Sequence, residues 1–174
     1  MGYTTDFSGQ LTIEPPLTQE QVQYINKFSD TRRMKRDPDK LAHMPDPIRE
    51  AVSLPLGVDG GYYVGSTRQF GQDRDAVIEY NFPPAGQPSL WCQWVVSKDG
   101  SVLEWDEGEK FYEYVAWLRY LIEHFFSKWE RTLEGKIFWQ GEESDDRGII
   151  WVHKDGSVEE VFDELTNPGP SWGK

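Results

Sequence analysis

The segment Thr31-Arg32-Arg33-Met34-Lys35-Arg36-Asp37 places Arg32, Arg33, Lys35 and Arg36 side by side, the only dense positive run in a chain of 30 Asp and Glu against 18 Lys and Arg. Guanidinium forks at that density suit a phosphate or a carboxylate, held through charge-assisted hydrogen bonds. The competing reading is that these cations complement a helix C-terminus and an acidic body. Downstream, Tyr62, Tyr63, Phe70, Gln72, Arg74, Tyr80, Gln87, Trp91, Gln93 and Trp94 mix rings that stack with groups that hydrogen-bond. The candidate ligand site is Arg32, Arg33, Arg36 and Arg74 for charge, with Tyr63, Gln87, Trp91 and Trp94 for stacking and orientation. Such a set suits a planar anion such as a nucleotide, or a protein hot spot. The other reading of the rings is a satellite of the core. The expected geometry is a loop folded over a sheet, with Arg74, Gln87 and Trp91 on one concave patch and the basic segment at its rim.

Other groups carry weaker signals. Glu104, Asp106, Glu107 and Glu109 gather at the mouth of an expected helix that also carries His124. An acid–base pair or a divalent-ion site can be built from such groups, yet anions at a helix N-terminus need no chemistry to explain them. The loop Glu142-Glu143-Ser144-Asp145-Asp146 is rich in oxygen ligands but lacks the spacing of a calcium loop, and reads as a solvated turn. His43 and His153 have no partners at metal spacing, and the glycines between Gly57 and Gly65 lack the Gly-Lys-Ser/Thr ending of a phosphate loop. Cys92 is the single cysteine, which excludes an intramolecular disulfide. It alternates with Leu90 and Trp94, so a buried, inert thiol is expected. No catalytic residue, metal or cofactor is assigned.

These groups need elements to position them. Alternation from Tyr3 to Ile13 predicts a half-buried strand ended by Pro15-Pro16. Thr18 and Gln21 form a capping box for a helix whose Val22, Ile25 and Phe28 make a buried stripe. An arm runs from Asp37 to Pro55, with a short helix over 47–53 in which Asp46 caps and Pro47 takes the first turn. The stretch from Gly57 to Pro88 reads as irregular, with one short strand over 76–80. Strands over 90–96 and 101–105 form a hairpin about Lys98-Asp99-Gly100, a long core helix covers 109–129, and strands follow over 134–140, 147–153 and 157–162. The pentapeptide Lys-Asp-Gly-Ser-Val recurs at 98–102 and 154–158, which reads as shared turn chemistry rather than duplication. The order predicts an α+β fold: an antiparallel sheet of five or six strands with two main helices on one face, a ferredoxin-like variant with a long irregular arm. One domain is expected over 1–165, with a loose tail over 166–174.

The blocks Met1-Gly2-Tyr3-Thr4-Thr5-Asp6-Phe7, Thr31-Arg32-Arg33-Met34-Lys35-Arg36-Asp37, Gly71-Gln72-Asp73-Arg74-Asp75, Gly86-Gln87-Pro88-Ser89-Leu90-Trp91-Cys92-Gln93-Trp94 and Phe138-Trp139-Gln140-Gly141-Glu142 resemble those of a family of small uncharacterised proteins carried by bacteriophages and bacterial genomes. The likeness spans nearly the whole chain. More distantly, the element order is similar to ferredoxin-like domains of small phage and plasmid proteins. The resemblance implies a phage or prophage setting and supplies no catalytic residues. The formal charge of −12 disfavours general DNA binding and anionic lipid, and no apolar run is long enough for a membrane span. The expected protein is therefore a cytoplasmic, non-enzymatic accessory in a bacterial host that binds a host, phage or defence protein. The alternative is a nucleotide or other anionic small-molecule binder or enzyme, and a virion structural role comes third.

Overall fold

The strand β1 (Asp6–Glu14) keeps the alternation of its sequence, burying Phe7, Leu11 and Ile13 and exposing the polar residues between them. The computed structural model describes residues 3–66 and 73–162; the expected tail over 166–174 lies outside them. Past the proline pair, α1 (Gln19–Ser29) opens on the capping box, Thr18 Oγ1 accepting from Gln21 N while Gln21 Oε1 accepts from Thr18 N. Its buried stripe is Val22, Tyr24, Ile25 and Phe28.

The arm contains β2 (Lys35–Arg36), α2 (Pro38–Leu41) and α3 (Pro47–Glu50). Asp46 makes no capping bond to α3. Its carboxylate instead holds Arg49 and accepts from the backbone N–H of Val64 and Gly65, tying the arm to the irregular segment. Strand β3 (Val77–Glu79) pairs with β2 in a separate two-stranded sheet.

Next come β4 (Trp94–Val96), β5 (Val102–Trp105), α4 (Tyr114–Leu121), β6 (Thr132–Gln140), β7 (Arg147–Val152) and β8 (Val158–Phe162). The main sheet has six strands in the order β4-β5-β1-β6-β7-β8, with antiparallel pairing throughout. Its first four members, taken as β6-β1-β5-β4, follow the split βαβ arrangement of a ferredoxin-like plan, and β7 and β8 extend that sheet as a meander. The fold is α+β, as the order of elements predicts.

Several expected elements are shorter than their patterns, among them the helix expected over 47–53, which ends at Glu50, and two have a visible cause. Leu90 leaves the strand ladder because its carbonyl accepts from Arg33 N at 2.8 Å. The core helix begins at Tyr114 rather than near Glu109, because Phe111 turns inward to meet Phe7 and Trp94 edge-on, with ring centroids 5.8 and 5.1 Å away. The backbone accommodates that by taking positive φ at Glu107, Lys110 and Glu113. At its other end α4 runs into one π-helical turn, Ile122–Phe126, closed by Ser127 N donating to Ile122 O. The core between helices and sheet is dominated by edge-on rings, including Phe7 against Tyr114 and Tyr24 against Phe125. Among the described residues no helix is long and apolar enough to cross a membrane.

Candidate functional site

The basic segment is extended, and an extended chain sends alternate side chains to opposite sides. Its backbone is held on the irregular segment by Lys35 N donating to Phe82 O and Asp37 N to Ala76 O, at 2.9 and 2.7 Å. Arg32, Met34 and Arg36 thereby face one cleft of about 750 Å³, and Arg33 faces away from it. The cleft is closed by Tyr63, Arg74, Ile78, Tyr80 and Trp91 from the irregular segment and by Lys27, Asp30 and Thr31 from the end of α1.

Each cation there has a different degree of freedom. Arg36 is buried and bound, its Nε 2.5 Å from Asp73 Oδ2, with Nη2 donating to Arg32 O and the Tyr63 ring 5.4 Å from its Cζ. Arg32 lies over the Tyr80 ring at 4.1 Å and donates to Tyr80 O and Asn81 Oδ1. Arg74 is exposed and its guanidinium makes no hydrogen bond or ion pair among the described residues. Lys27, Arg32, Arg36 and Arg74 thus outnumber Asp30 and Asp73 along walls that also carry the rings of Tyr63, Tyr80 and Trp91. In a protein of net charge −12 this is a local reversal of sign.

The other nominated residues are buried and do not line the cleft. Arg33 is fully buried, with its guanidinium 4.2 Å from the Phe28 ring and Nη2 donating to Gly61 O and Tyr63 O. Among the described residues its Nε and Nη1 have no partner and it makes no ion pair; burial, reinforced by the Arg36 charge, pulls its pKa down to about 10. Gln87 is buried beside it, its Nε2 donating to the same Gly61 carbonyl and to Tyr120 Oη. Trp94 is a core residue whose indole N–H donates to Tyr114 O. Arg33 and Gln87 therefore fix the carbonyls of the segment that presents Tyr63, which is a positioning role. Five of the eight nominated side chains, Arg32, Arg36, Tyr63, Arg74 and Trp91, come together. Residues Phe70 and Gln72 lie outside the described ones.

Lys27 and Asp73 complete the cleft without a motif to announce them. Lys27 follows from its place in the last turn of α1, one step before the basic segment. For Asp73 the only signal is its charge next to Arg74.

The weaker candidates resolve differently. The carboxylates at 104–109 do not sit at a helix N-terminus, since α4 begins later. His124 is engaged by Tyr62, whose hydroxyl lies 2.8 Å from Nδ1, and by the Tyr120 ring stacked at 4.0 Å. Partial burial lowers its pKa. In the acidic loop, Glu142 and Asp146 tie down the N-terminal segment, Asp146 accepting from Tyr3 Oη and Glu142 Oε2 from Thr4 N. Among the described residues no three His, Cys, Asp or Glu side chains gather to hold a metal ion. Cys92 is fully buried, and burial pushes its thiol up to about 12.

Comparison with protein-family models, with curated proteins and with solved structures finds no match for this chain.

Proposed function

We propose that the cleft under Tyr80 and Trp91 binds a planar anion of the nucleotide class, and that the protein acts by binding rather than by turnover. The observation that carries this is the guanidinium of Arg74, without a hydrogen bond or ion pair among the described residues, lining the same hollow as Arg32, Arg36 and the rings of Tyr63, Tyr80 and Trp91. Guanidinium groups supply bidentate bonds to phosphate, while the exposed rings of Tyr80 and Trp91 supply stacking faces. At about 750 Å³ the cleft falls within the roughly 300–1,000 Å³ typical of small-molecule sites. Its walls hold no histidine or cysteine, and Asp73 is already committed to Arg36. The resemblance to phage and prophage proteins supports a setting in the bacterial cytoplasm, where such a binder would sequester or sense a host metabolite.

A second reading rests on a separate observation. Ile78, Tyr80, Trp91 and Tyr112 are among the exposed large apolar side chains; the first three line this cleft, and Tyr112 lines a hollow that shares Trp91 with it. Trp, Tyr and Arg are the residues that dominate protein hot spots, so a host or phage protein with an acidic contact segment is the alternative occupant.

Thermal shift with AMP, ATP and inorganic phosphate tests the first reading, since a ligand of the folded state stabilises by RT ln(1 + [L]/Kd). AMP or ATP is expected to raise Tm. Arg74→Ala is expected to weaken that binding at least about tenfold, the loss of one charge-assisted bond, with the unliganded Tm nearly unchanged. No nucleotide shift at millimolar ligand, together with a specific protein captured through Arg74 and Tyr80, would favour the second reading.

A further inference from the structure

We infer that the site continues past Trp91 into a second hollow, so that the ligand carries two planar groups joined through phosphate, as a dinucleotide does. This rests on the nucleotide-class reading of the first cleft. Trp91 lines both hollows. The second, of about 380 Å³, is walled by Pro83, Leu90, Trp91 and Tyr112, with Glu109 and Lys110 also lining it. Lys27, Arg32, Arg36 and Arg74 line the first cleft, whereas the second hollow is mainly apolar and its two charges, Glu109 and Lys110, offset each other. A single nucleotide satisfies the first hollow and leaves the second one wet.

The floor of the second hollow is fixed while its rings stay open. Ser89 Oγ accepts from the Trp117 indole N–H at 2.7 Å and lies within hydrogen-bond reach of both Trp91 O and Tyr112 O. One hydroxyl thus spans the backbones that carry the two rings. Arg33 N binds Leu90 O, and Gln93 Nε2 donates to Glu109 O across the same floor. Trp91 and Tyr112 are nevertheless 40 % and 52 % exposed. Neither ring donates a hydrogen bond through its own N–H or O–H among the described residues. Large rings held in place by their backbones and left uncovered have lost much of their freedom already, so stacking a second base on them costs little further ordering.

The test is isothermal titration of the full chain with AMP and with diadenosine diphosphate, for the natural sequence and for Tyr112→Ala. Diadenosine diphosphate is expected to bind about tenfold or more tighter than AMP, the contribution of one more stacked base. Tyr112→Ala should remove that gain and leave AMP affinity unchanged, because Tyr112 does not line the first cleft. Equal affinities for the two probes, or a Tyr112→Ala loss shared equally by both, would overturn the inference while the first reading stands. Absence of binding by AMP and by diadenosine diphosphate alike would overturn the first reading and this one with it.

Discussion

Arg33 is the residue whose environment departs furthest from what its type prefers. A buried guanidinium without a carboxylate is costly unless its hydrogen bonds are worth more than its hydration. Among the described residues two carbonyls and the face of Phe28 hold its guanidinium. Arg33→Ala removes the charge but opens a void and takes one donor from each carbonyl, Gly61 O keeping its bond from Gln87 Nε2, and is expected to cost about 3 kcal/mol in urea unfolding. His124 gives a second residue-scale outcome. Its folded pKa lies below the ordinary histidine value of 6.5, so between the two values the unfolded chain binds more protons. Stability from this group is complete above pH 6.5 and declines as pH falls through the folded pKa. His124→Gln should therefore flatten the drop in urea midpoint between neutral pH and about pH 5, relative to the natural sequence. Five of the cleft's side chains could be named from the sequence, whereas Lys27, Asp73 and the burial of Arg33, Gln87 and Trp94 could not. A run of neighbouring cations reads as one patch, and only the extended backbone divides Arg32 and Arg36 from Arg33.

At the scale of elements, the two Lys-Asp-Gly-Ser-Val turns show how identical residues acquire different weights. Asp99 and Asp155 each accept from the N–H and the hydroxyl of the serine two residues on, so the turn chemistry is the same. The glycines differ. A Cβ on Gly100 would sit 2.6 Å from Leu17 O, whereas one on Gly156 would meet only Ile122 Cγ2 at 3.6 Å. Both take positive φ, for which an L-residue loses about 1–2 kcal/mol. Gly156→Ala should stay near that cost and Gly100→Ala should exceed it clearly, as read by thermal unfolding of the two variants. Strand β4 offers another case. It is an edge of the sheet, yet Asn26 from α1 donates to Val96 O and accepts from Val96 N, occupying the edge as a neighbouring strand would. Asn26→Ala exposes that pair; a loss of about 1–3 kcal/mol and concentration-dependent light scattering are expected. Alternation and capping made β1, α1 and the meander readable. The late start of α4 was hidden, because Phe111 fits a helical stripe by spacing but is claimed by the rings of Phe7 and Trp94.

For the molecule as a whole, the acidic body and the basic cleft have to be considered together. Long-range repulsion from a net charge of −12 slows the approach of any anion, while the cleft reverses the sign at short range. Added salt screens both, so affinity for AMP should fall with ionic strength while its association rate changes less or even rises, a pattern that stopped-flow titration over a salt series can read. The α+β class and its antiparallel sheet followed from the order of elements; the order of the strands and the cleft did not, and the cleft depends on how a segment poor in regular structure lies on the basic strand. The single thiol offers a way to observe that lying-down directly. Cys92 follows Trp91 in the chain and sits wholly inside, so a maleimide can reach it only when the packing above it comes apart. Its labelling rate is therefore a clock for opening, and the native chain needs no engineered reporter. A ligand seated on Trp91 should slow that clock in proportion to its occupancy.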